Sequence, residues 1–172
     1  GTAIEGELGQ GIRLLNETPI SDLTRQMAQS WRAQGSMSGN LQLDVPIGTR
    51  TGEPIGVDAS IDLTGGDLVM QNVNLDIEDI NGQIRYESRQ GLSAEPFTAM
   101  IFGEPVVSAI ASMKNQRGDV DEIRITTRGS VSTQDLYDWS GQALLSRTEG
   151  KLNYESLIHV PAGDSQSSLT VE

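Results

Sequence analysis

Between Leu41 and Ile125 apolar and polar residues alternate with a period of two, and that alternation constrains the fold more than any other feature of the chain. Leu41, Leu43 and Val45 alternate with Gln42 and Asp44. Val57, Ala59, Ile61 and Leu63 alternate with Asp58, Ser60, Asp62 and Thr64. Val73, Leu75 and Ile77 alternate with Asn74, Asp76 and Glu78. Ile84 and Tyr86 follow, then Phe97, Ala99 and Ile101, then Val107, Ala109, Ala111 and Met113, then Ile123 and Ile125. Successive side chains of a strand point to opposite faces, so such runs predict strands with one apolar and one wet face. Between Phe97 and Met113 the parity is ambiguous, because Met100, Phe102 and Ile110 fall on the other register; bulges could reconcile the two.

Gly65-Gly66, Asn81-Gly82 and Gln90-Gly91 stand where tight hairpins need positive φ. Glu104-Pro105 and Asn115–Asp119 mark further breaks. Two segments have helical spacing. In Ile20–Ala33, Ile20, Leu23, Met27, Ala28 and Trp31 share a face behind Ser21; in Ser132–Ala143, Leu136, Trp139, Ala143 and the adjoining Leu144 do so behind Ser132 or Thr133. Each would dock through its Trp. No crossover helices join the strands, so βαβ units are excluded. The expected fold is mainly β: a curved antiparallel sheet with two short helices.

Part of the pattern repeats. Gly35 and Gly150 stand 115 residues apart, as do Pro46 and Pro161, and the stretch after each glycine ends at its proline. Trp31 and Trp139 precede them, 108 residues apart. Ile4–Leu8 precedes the first helix as Ile123–Thr127 precedes the second. The expected organisation is a single segment, 1–172, of a longer repeat-built protein. Copies occupy about 1–46 and 120–161, joined by a β-meander over 54–130, and the second copy breaks off near Val171.

Low apolar content, 36%, with aromatics at only 4%, suits a sheet with a modest core; the ordered alternation argues against disorder. A formal charge of −12 speaks against nucleic acid and against a polybasic membrane patch. There is no cysteine for a disulfide or a thiolate metal site. No apolar run reaches the ~18 residues of a membrane-spanning helix, and no signal peptide is present, so export would depend on a signal elsewhere in the parent.

Nothing in the chain assembles a catalytic centre. His159 is the one histidine; it alternates with Ile158 and Val160, which puts it on an outward face away from any nucleophile. Asn74, Asp76, Glu78 and Asp79 lack the register of a calcium loop and form a charged solvent face. No phosphate-binding glycine motif occurs. No cofactor or metal is expected, and an enzyme on this scaffold, hydrolytic or carbohydrate-active, is disfavoured. What remains is the apolar face. Seven or more amphipathic strands share it, and two short helices are available to cover it. From the residues alone, an open apolar groove and a closed sandwich both stand.

A further set of residues bears on that choice. Asn81, Gly82, Ile84 and Tyr86 are followed by Gly91, Leu92 and Ala94, then by Phe102, Gly103, Pro105 and Val106. Arg128-Gly129, Leu136 to Trp139 and Gly150 to Pro161 come next, in that order. From about Trp31 to the C-terminus this succession resembles the YhdP family, in the AsmA-like group of envelope proteins of Gram-negative bacteria. The resemblance implies a β-groove segment of a periplasm-spanning parent anchored in the inner membrane, which shields phospholipid acyl chains on their way to the outer membrane. It implies neighbouring repeats of the same parent as partners. It implies no catalytic residue. The aliphatic residues expected to line the groove are Val57, Ala59, Ile61, Leu63, Val73, Leu75, Ile77, Ile84, Ile101, Val107, Ile123 and Ile125. The alternative is a structural β spacer of an envelope protein, with a closed core and no ligand.

Overall fold

The computed structural model describes residues 2–9, 31–44, 56–71, 74–161 and 168–171. Nine strands follow one another along the chain: β1 (Thr2–Glu7), β2 (Trp31–Asp44), β3 (Gly56–Met70), β4 (Leu75–Glu87), β5 (Gly91–Ile101), β6 (Glu104–Lys114), β7 (Val120–Ser132), β8 (Lys151–Pro161) and β9 (Ser168–Val171). Helix α1 (Thr133–Ser140) and a 3-10 turn (Leu145–Arg147) lie between β7 and β8. The strands form one sheet in sequence order, every neighbouring pair antiparallel, and the sheet does not close: β1 and β9 are its edges. Each described strand contacts its sheet neighbours, and β5 also approaches β7.

That last approach reports curvature. In a flat sheet, strands two apart lie nearly 10 Å from each other, yet Cα atoms of β5 and β7 come within 8 Å across β6. The residues between them are small or flat. Ala99, Val106 and Gly129 share one register row, and a Cβ on Gly129 would stand 2.6 Å from Val106 Cγ1. Among the described residues Val106 is the most buried apolar side chain, 2% exposed.

Two glycine pairs that signal hairpins prove to be interruptions inside long strands. β3 runs straight through Gly65-Gly66 and β4 through Asn81-Gly82, with register shifts at both. Further shifts fall between Gln34 and Ser36 in β2 and between Ala94 and Phe97 in β5. Together they make a crease across four adjacent strands, and bulges bend the strands that carry them. The polar residues that suggested turns brace this crease. Asn81 accepts from the Gly65 N–H at 2.9 Å and donates to Asp79, whose N–H donates to Asp67. Gly35, at φ +110°, has the Gly65 carbonyl 2.8 Å from where its Cβ would stand, so a side chain there is excluded twice over.

Among the described residues, turns fall at Gln71 and Asn74, at Ser88–Gln90, at Phe102-Gly103 and in the Asn115–Asp119 loop. Phe102 and Gly103 both have positive φ, 54° and 70°, as two-residue hairpins prefer. The expected break at Glu104-Pro105 therefore lies two residues early, and both residues open β6. Helix α1 forms as expected. Ser132 caps it by accepting from the Asp135 N–H at 3.0 Å, and Gly141 ends it in the left-handed conformation. Its Trp139 meets Phe102 edge-to-face, with ring centroids 6.1 Å apart. Of the other expected helix, 20–30 lies outside the described residues, and Trp31 to Ala33 begin β2 as strand. The two tryptophans paired in the sequence repeat thus occupy different kinds of element.

Candidate ligand-binding face

One register row can be followed through every strand. Ile4 pairs with Gly39, Gly39 with Ile61, Ile61 with Ile84, Ile84 with Ala94, Ala94 with Ile110, Ile110 with Ile125, Ile125 with Ile158, and Ile158 with Leu169. Every member is aliphatic or glycine. Strands are spaced ~4.8 Å apart, so the eight steps span about 38 Å, perpendicular to the strands. A second row, from Ala59 through Tyr86 to Leu92, lies beside it. On its other side lie Met37 and Leu63, and then Phe97, whose Cβ stands 2.3 Å from where a Cβ of Gly82 would be.

Most candidates from the sequence fall on this face. Ala59, Ile61, Leu63, Leu75, Ile77, Ile84, Ile101, Ile123 and Ile125 are joined by register partners of the same face, and Val57 belongs to it by alternation with Ala59. Leu63, Ile80, Ala99, Ile101 and Val106 form a packed cluster, with Leu75, Ile77 and Ile84 against it. Two candidates do not join them. Val73 lies outside the described residues. Val107 is corrected: it pairs with Arg128 on the opposite face, 49% exposed, and Val106 takes the inward place. The error has a physical source. β6 puts Val107, Ala109, Ala111 and Met113 on one face and Val106, Ser108, Ile110 and Ser112 on the other, so its alternation marks as apolar the face that turns outward.

Most of the face is only half-buried. Ile61, Ile84, Ile110, Ile125 and Ile158 all keep intermediate exposure. A second layer would remove them from water, as the inner faces of a sandwich are removed. Sequence reasoning also missed Ser108, Thr127 and Ser156, which form one polar row within the apolar face.

The other face is charged. Arg128 grips Glu155 with two hydrogen bonds, 2.9 and 3.0 Å. His159 Nδ1 and Arg124 Nε both meet Glu122 Oε1 at 2.6 Å, and hydrogen bonds from Arg124 and then His159 hold the Glu122 carboxyl below its ordinary value. On the apolar side, desolvation raises the phenols of Tyr86 and Tyr154. Among the described residues no three acidic or histidine groups are placed to hold a metal ion, and no helix is long and apolar enough to cross a membrane.

Fold and face define a class: an open, curved, single-layer β-sheet protein whose extended apolar face carries no reactive constellation among the described residues. The chain belongs to the YhdP family, described as YhdP protein, which it matches over residues 2–172. That makes it an envelope protein of the AsmA-like kind, in a family of structural and transport proteins rather than enzymes. No curated protein and no solved structure matches it.

Proposed function

We propose that the chain is one segment of a periplasm-spanning protein, anchored in the inner membrane, whose groove shields phospholipid acyl chains in transit between the inner and outer membranes. The observation that carries this reading is the register row from Ile4 to Leu169, aliphatic in every strand but β2, where Gly39 stands. Its ~38 Å exceeds twice the length of one acyl chain, which is about half of a ~30 Å bilayer core. Each CH₂ moved from water onto apolar surface gains ~0.8 kcal/mol. A row of similar aliphatic residues offers that gain at every step without a deep minimum, so a chain can slide. The headgroup stays in solvent at the rim. The half-buried state of the face supports this over a closed spacer.

We also infer that the chain holds parts of two repeat units. β1 and β7 each lead into helix, beginning at Leu8 and Thr133, and return as β2 and β8. Gly35 and Gly150 have matching positive φ, +110° and +113°. The open edges β1 and β9 suit pairing with neighbouring repeats of the parent chain.

Lipid retention tests the reading. Protein purified without detergent is expected to carry phospholipid detectable by mass spectrometry. A photo-crosslinking residue at Ile84 should label acyl chains, and one at Arg85, on the opposite face, should not. Equal labelling at both, or none, would sink the proposal.

A further inference from the structure

Ser108, Thr127 and Ser156 occupy one register row across β6, β7 and β8, on the apolar face. They are 7%, 7% and 9% exposed. Apolar rows flank them. On one side lie Val106, Gly129 and Tyr154, and on the other Ile110, Ile125 and Ile158. The row continues the line of Met37, Leu63 and Phe97, so an apolar track becomes a hydroxyl track at β6.

The hydroxyls are not used up. Ser108 Oγ and Thr127 Oγ1 lie 2.8 Å apart, and that bond consumes one of their two O–H donors. Among the described residues, Ser156, though nine-tenths buried, has no hydrogen-bond partner for its hydroxyl. Three hydroxyls with one mutual bond leave two donors open on a surface that otherwise offers only hydrocarbon. A buried donor without an acceptor is costly, so a group that supplies acceptors without needing donors in return is favoured there. The adjoining Tyr154 phenol, desolvated and kept protonated, adds no negative charge to repel such a group.

We propose that this hydroxyl row is a station for the ester carbonyls of a glycerolipid. The inference rests on the acyl-chain reading above and adds selectivity to it. Ester carbonyls are acceptor-only and sit where the headgroup joins the acyl chains, so a lipid lying along the aliphatic rows can present them to the row. Alkyl ether lipids have the same shape and chain length and lack those carbonyl oxygens. The row thus separates ester from ether lipids and gives an otherwise featureless track a place where lipids pause in register.

The test is a competition. The protein is equilibrated with vesicles containing equal amounts of diacyl and dialkyl-ether phosphatidylethanolamine of the same chain length, and the retained ratio is read by native mass spectrometry. The expected result is diacyl enrichment of about five-fold, the equivalent of one net hydrogen bond. Ser156→Ala should reduce it, and the combined S108A, T127V and S156A variant should bring the ratio to one. Ser156→Ala removes a hydroxyl with no described partner, so it keeps the fold if the triple variant does not. A ratio of one in the unmodified protein, with both lipids retained, overturns the station and leaves the conduit standing. Retention of neither lipid overturns the conduit, and the station with it. Unchanged enrichment in both variants assigns the selectivity elsewhere and overturns the station.

Discussion

Gly129 holds its place by what surrounds it. A methyl group there would meet Val106 Cγ1 at 2.6 Å, across the pairing of β6 with β7. Gly129→Ala is therefore expected to cost about 1–3 kcal/mol through overpacking, measured by urea denaturation. Glu122 differs, being a surface group whose role is electrostatic. Its carboxyl is held low by Arg124 and His159. A depressed carboxylate stabilises the fold above its unfolded pKa, and that contribution is lost as pH falls through the folded value. Glu122→Gln should accordingly lower the melting temperature at pH 7, and the difference from the unmodified protein should vanish well below about pH 4. Thermal melts from pH 7 to pH 3 check this; a difference that grows toward acid pH would contradict it. His159, the one histidine, was legible as a surface residue. Its bond to Glu122 was not, because the two are 37 positions apart and only the pairing of β7 with β8 brings them together.

Elements were legible to the extent that their signals were local. Period-two runs became strands, and the Ser132 cap with its following helix formed where capping and apolar spacing put them. Among the described residues, helix α1 meets Phe102 through Trp139 and joins the sheet at β7. Ser132→Ala should thus cost about 1 kcal/mol locally. Hydrogen exchange of 133–140 should quicken, with that of β7 and β8 unchanged; equal acceleration in the strands would show the helix to be part of the sheet's cooperative unit. Asn81-Gly82 misled because an Asn-Gly pair is a hairpin signal only if the chain reverses there. In this sheet the Asn81 side chain serves the backbone of β3, a partner 16 positions away, and the strand continues. Val107 misled for another reason: it stands with Ala109, Ala111 and Met113 on the more apolar face of β6, while the face that turns inward carries Ser108 and Ser112.

For the whole molecule, the consequence of a single layer is tolerance. Ile125 is half-buried on the apolar face. Ile125→Asp should leave the β-sheet circular dichroism spectrum in place while lipid retention drops several-fold. In a closed sandwich the same buried charge would unfold the domain, so loss of the spectrum would count for the spacer instead.

The sequence by itself determined the antiparallel β class, the amphipathic strands, the capped helix and the absence of a cysteine chemistry, because each depends on residue type and short-range spacing. The resemblance carried by its ordered motifs pointed to the family that the match over residues 2–172 shows. Only the tertiary structure decided the register. It made turn dipeptides into a crease, moved Val107 outward, aligned nine strands into one row of aliphatic residues and a glycine, and set Ser108, Thr127 and Ser156 side by side in the row next to it. Register is a relation between residues far apart in the chain, and a shift of one position exchanges the two faces of a strand. No local pattern carries that information, so the face was foreseeable in its chemistry and not in its continuity.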